Sequence, residues 1–185
     1  MSHNRFLFVA EMILYPQLPA SMRPPEGGKI GGDPRVTFID LFVEQETRCA
    51  ELYTLFAGRY PELREFWEGL AEEEKGHAAA VLELSRKISS REVLFVEGRT
   101  RAHTLQVFLE YVKGVIRRAR SESFPLSTAL SLALDIERSF FERKLFEHFR
   151  GDSPPVRKTL QMLQGETSEH ILRLERMWKE KRGAQ

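Results

Sequence analysis

Five side chains in this sequence are of the types that bind metals: Glu46, Glu74, His77, Glu137 and His170. Glu74 and His77 stand three apart, so on a helix both project from one turn to the same side. Each of the five also falls in register with apolar residues at alternating steps of three and four, the spacing of a buried helix face. Glu46 follows Ile39 and Phe42 and precedes Cys49, Tyr53 and Phe56. Glu74 and His77 lie between Leu63, Trp67 and Leu70 on one side and Val81, Leu84 and Ile88 on the other. Glu137 continues Leu126, Leu130 and Ala133 and precedes Phe140, while His170 follows Val156, Leu160, Leu163 and Thr167 and precedes Leu174 and Met177. An isolated buried carboxylate costs several kcal/mol or more. Convergence on divalent cations removes that cost, because the ion supplies the missing charge. Carboxylate oxygen with imidazole suits iron or manganese better than copper–thiolate chemistry.

Four helical segments have to carry these residues. Segment A runs from about 36 to 59 and stops before Pro61; segment B takes that proline in its first turn and continues to about Lys87. Segment C begins near Pro125 and is expected to reach Gly151, and segment D follows Pro154 and Pro155 to about Lys181. Between B and C lie a looser stretch, Ser89 to Arg101, and an amphipathic segment over 102–121 with Leu105, Phe108, Val112 and Val115 on one side. Strand signals are weak throughout. The fold class expected is all-α, with residues 36–182 as one domain. Residues 1–35 hold five of the nine prolines and four of the twelve glycines, so they read as an N-terminal arm.

Composition excludes several functions. Twenty-eight Lys and Arg against 27 Asp and Glu leave a net charge of +1, without the basic surplus that phosphate backbones require. The single cysteine, Cys49, can form neither an internal disulfide nor a four-thiolate site. No run approaches the ~18 apolar residues that span a bilayer. These features suggest a cytoplasmic protein with no nucleic-acid or membrane partner. The apolar start of the arm and the 102–121 segment suggest a surface for a second copy, and hence a homodimer.

Inner Glu on two helices with Glu-x-x-His on the other two is the ligand pattern of di-iron carboxylate bundles. The run from Glu46 to Ala57 (ETRCAELYTLFA), with its Glu seven residues before Tyr53, and the run from Leu70 to Ala78 (LAEEEKGHA) resemble the first two helices of the rubrerythrin branch of the ferritin-like superfamily. The stretch from Ala133 to Phe141 (ALDIERSFF) is similar to the third, and Thr167 to His170 (TSEH) stands where a second Glu-x-x-His belongs. The resemblance covers about residues 36 to 180. It implies a four-helix bundle with the 102–121 helix in a long crossover, and Glu46, Glu74, His77, Glu137 and His170 as ligands of two iron ions, with manganese, zinc or a single metal as alternatives. It further implies an oxidoreductase of the ferroxidase or peroxidase type, acting on dioxygen or hydrogen peroxide.

Three departures bear on that chemistry. Thr167 replaces the fourth-helix glutamate, Phe140 stands where the family has a further carboxylate, and one cysteine cannot build a rubredoxin-type centre, so electrons would come from a separate donor. Three glutamates opposite two ferrous ions leave one positive charge for hydroxide or solvent to balance. Glu166, about 40° from His170 on the helical wheel, is a candidate substitute if the helix bulges at Gly165; a solvated surface charge is the simpler reading. Tyr53 is either a hydrogen-bond partner of a ligand carboxylate or an ordinary core tyrosine. Taken together, the departures also fit a different class: a degenerate bundle with one metal or none, serving as a binding or assembly module.

Overall fold

A computed structural model describes residues 34–91, 94–95, 102–139, 149–150 and 153–183. Five α-helices account for most of them: α1 Pro34–Arg59, α2 Arg64–Ser89, α3 Ala102–Ser121, α4 Leu126–Arg138 and α5 Pro154–Gly183. A single 3-10 turn, Pro61–Leu63, joins α1 to α2. Proline at its first position needs no amide partner there, which lets the chain reverse in a few residues and lays α2 against α1. The fold is all-α, with α1 packed on α2 and α3, α4 on α5, and α5 on α2. Among the described residues no helix is long and apolar enough to cross a membrane.

The helix limits agree with the pattern except in segment C. There α4 stops at Arg138, one residue after Glu137, where Ser139 turns to an extended conformation and its amide bonds back to Ile136 O. No proline or glycine marks this stop, so spacing alone carried the expected helix onward to Gly151. Phe149–Arg150 is instead a short strand, β2, paired antiparallel with β1, Leu94–Phe95. Phe140 lies outside the described residues, as do positions 1–33 of the expected arm. Pro34 and Arg35, read as part of the arm, begin α1.

The stripes are buried as their spacing requires. Ile39, Phe42, Cys49, Tyr53, Phe56, Trp67, Leu70, Val81, Leu84, Leu130, Ala133, Val156, Leu163 and Leu174 all lie in the core. That core is two clusters. One gathers Tyr53, Phe56, Trp67, Leu70, Leu130, Ala133 and Leu174; the other gathers Phe38, Ile39, Phe42, Val81, Leu84, Leu105, Val156 and Leu163. Along α1, α2 and α5 the residues that separate them in sequence are Glu46, then Glu74 with His77, then Thr167 with His170. The apolar face of α3, Leu105, Phe108, Leu109, Val112, Val115, Ile116 and Ala119, is buried inside the same chain.

Candidate metal centre

The polar layer between the two apolar clusters holds all five expected ligands. Glu46, Glu74, His77, Glu137 and His170 are each almost wholly buried. They form two trios, Glu46–Glu74–His77 and Glu74–Glu137–His170, and within each trio one ligand atom per residue lies within 4.8 Å of the others. Glu74 belongs to both. Its Oε2 lies 3.1 Å from His77 Nδ1 and its Oε1 lies 3.0 Å from His170 Nδ1. The outer carboxylates complete the set: Glu46 Oε2 is 3.7 Å from His77 Nδ1, and Glu137 Oε1 is 3.4 Å from His170 Nδ1. The two imidazole rings stack with centroids 5.3 Å apart. The arrangement has an approximate two-fold symmetry about Glu74 that nothing in the linear order of the residues states.

Whether these residues suit a cation is tested by their unsatisfied atoms. Glu46 Oε2, Glu74 Oε1 and His170 Nδ1 are buried and have no hydrogen-bond partner. Buried polar atoms are nearly always paired. Here Glu74 Oε1 and His170 Nδ1 stand 3.0 Å apart as an ion pair without hydrogen-bond geometry, and both atoms are of ligand type once the imidazole is neutral. The donor set, oxygen with imidazole nitrogen, fits iron, manganese or zinc.

The electrostatics agree. Burial by itself would lower a histidine pKa, but the facing carboxylates overturn it: Glu46 and Glu74 push His77 up to about 11, and Glu137 with Glu74 push His170 up to about 10. Burial, reinforced by the adjacent Glu74, holds the Glu46 carboxyl well above the usual carboxylate range. Glu74 is held below that range despite its burial, because the His170 and His77 rings both face its carboxylate, at 3.0 and 3.1 Å. Protons on the two histidines and on Glu46 thus neutralise the layer in the absence of a cation. A divalent ion would have to displace the histidine protons, since only neutral imidazole is a ligand.

The surrounding partners complete the site. Tyr53 donates from its hydroxyl to Glu137 Oε1 at 2.6 Å, so it is the partner of a candidate ligand carboxylate. Thr167 is buried, but its hydroxyl donates to Leu163 O, one turn back on its own helix, and offers nothing to the trios. Glu166 belongs to neither trio, and α5 runs through Gly165 as regular helix. Its Oε2 lies 3.1 Å from His77 Nε2, on the outer edge of that ring, so it is neither a replacement ligand nor a purely solvated charge.

Two residues escaped the sequence analysis. Glu73 Oε2 accepts from His170 Nε2 at 2.7 Å, and the Arg173 guanidinium grips both oxygens of Glu73. Each histidine is therefore backed by a carboxylate from the opposite helix, α5 for His77 and α2 for His170. The signal was present but faint: Glu73 is hidden in a run of three glutamates, and Arg173 follows His170 by one helical step of three. Gln45 is also wholly buried with both amide atoms unpartnered, and its place beside Glu46 gave no hint of it.

Comparison with known proteins gives no match among family models, curated proteins or solved structures.

Proposed function

We propose that this chain is a rubrerythrin-like, ferritin-like four-helix carboxylate protein that holds two iron ions and reacts them with dioxygen or hydrogen peroxide. The observation that carries the reading is the pair of buried trios sharing Glu74, with Glu46 Oε2, Glu74 Oε1 and His170 Nδ1 left without hydrogen-bond partners. When bound, the metals would supply the electrons that reduce dioxygen or peroxide. The chain's own part is positional. Glu74 links the two trios, the apolar clusters on both sides keep the layer dry, and Glu73 and Glu166 hold the histidine rings with Nδ1 turned inward. The single cysteine leaves the protein without a thiolate iron centre, so a separate donor returns the electrons.

One observation favours a second reading. Thr167 turns its hydroxyl back to its own helix, so the layer has three carboxylates where the family pattern has more. A degenerate bundle with one metal or none, acting as a binding or assembly module, has the same fold.

Loading the full chain anaerobically with Fe(II), counting metal per chain, and then admitting air or peroxide separates the two. The expected result is about two irons per chain, with a near-ultraviolet absorbance that grows on oxidation. One iron per chain would mean that only one trio is a working site. None, under conditions where the protein is folded, would sink the oxidoreductase reading in favour of the module.

A further inference from the structure

The two trios share Glu74 and look alike, yet the groups behind them differ. In the trio of Glu74, Glu137 and His170, both of the ligands not shared are held from outside. Tyr53 fixes Glu137 through a 2.6 Å hydrogen bond. Glu73 fixes the His170 ring through Nε2 at 2.7 Å, and Glu73 is itself clamped on both oxygens by the Arg173 fork. A planar guanidinium gripping a carboxylate in this two-pronged way is among the stronger and more directional contacts available to a protein. The trio of Glu46, Glu74 and His77 has no such support. Among the described residues no side chain from outside the trio bonds to Glu46, and His77 Nε2 meets Glu166, at 3.1 Å. Glu166 is partly exposed and, among the described residues, has no cation gripping it.

Orientation by outer partners sets how much a metal site has to reorganise on binding. Removing such a partner costs metal affinity about 10- to 100-fold. We propose that the two positions are therefore unequal: the His170 position binds a divalent ion first and retains it, while the His77 position fills second and exchanges with ions in solution. Glu73 and Arg173 are the positioning residues that create the difference. The protein then has a one-metal state and a two-metal state, and metal concentrations between the two binding constants select between them. This inference rests on the di-metal reading and adds to it an order of filling.

The test is an anaerobic calorimetric and absorbance titration of the metal-free full chain with Co(II). Expected are two steps whose constants differ by at least about tenfold. Glu73→Gln should weaken the first step about 10- to 100-fold and bring the steps together, whereas Glu166→Gln should weaken only the second. Arg173→Gln, which leaves every group in contact with a ligand in place, should weaken the first step in the same sense and to a lesser degree. Circular dichroism on each variant checks that the helices are intact, and Arg173→Gln carries the test should Glu73→Gln fail to fold. Two equal sites in the unaltered chain, or equal weakening of the first step by Glu73→Gln and Glu166→Gln, would overturn the inequality while leaving the di-metal reading standing. No Co(II) binding at all would instead remove the reading on which it rests.

Discussion

The apolar cluster around Trp67 and the polar layer next to it are built from the same helices at the same spacing, yet opposite physics holds them. Trp67 packs against Tyr53, Phe56 and Phe66 with ring centroids 5.0 to 5.8 Å apart, and the apolar surface of that cluster gains by leaving water. Farther along α2, Glu74 and His77 are equally buried and gain nothing from burial itself. The first region is stable as a property of the chain alone. The second is tolerated because protons, or cations in their place, cancel its charge. A buried layer of this kind is weak support for stability and strong support for a ligand.

The largest expected effect breaks the apolar side. Trp67→Ala should cost about 3–5 kcal/mol of folding stability, the usual range for emptying a fully buried aromatic site. Denaturant unfolding of the metal-free chain measures this, and any molecules that remain folded should take up metal in the same ratio as before. A loss below about 1 kcal/mol would show that the cluster is not the structural core.

A smaller effect breaks the polar side. Replacing Glu74 and His77 together by alanine removes the carboxylate common to both trios. Metal uptake should disappear, and with it the stabilisation that bound ligand confers, about 2.7 kcal/mol per site at a hundredfold excess over the dissociation constant. The metal-free protein should change by about 1 kcal/mol or less in either direction, since a buried charged pair contributes little net stability. Thermal unfolding with and without metal reads both quantities, and persistence of metal protection in the double variant would count against the assignment.

The subtlest effect lies in pH. His77 and His170 titrate near 11 and near 10 in the folded chain, against an ordinary 6.5. The folded state thus holds more protons than the unfolded one above about pH 6.5. Their contribution to stability is fully present below that pH and is lost progressively as the pH rises towards 10 and 11. Glu46, its pKa raised well above 4.5, acts in the same direction. The melting midpoint of the metal-free protein should therefore fall between pH 7 and 10. With metal bound the histidine protons are already displaced, and that fall should largely vanish. Parallel melting curves for the two forms across this range would contradict the protonation described for the layer.

Much of this arrangement could be read from residue order. The three-and-four spacing through Glu46, Glu74, His77, Glu137 and His170 survives substitution of a polar residue for an apolar one, so the inward face stays visible even where its chemistry changes. Tyr53 was legible as well, because it stands on the same stripe as Glu46. Spacing failed where no turn residue punctuates the chain. Ser139 carries no signal that α4 should end there, and the helix pattern extends across it to Gly151. It failed too for groups that flank the stripe. Glu73 and Glu166 look like ordinary surface glutamates, and only the approach of α2 to α5 sets each of them against the other helix's histidine.

By itself, then, the sequence determined that the protein is helical and that five ligand-type side chains face inward, because periodicity and residue type are local properties. Tertiary structure decided the rest: that Glu74 is common to both trios, that Thr167 turns away from them, and that one histidine is backed by a clamped carboxylate and the other by a loose one. Those facts depend on distances between helices that are 89 to 100 residues apart along the chain at the contacts in question. No local pattern encodes such distances; they follow from how the whole core packs.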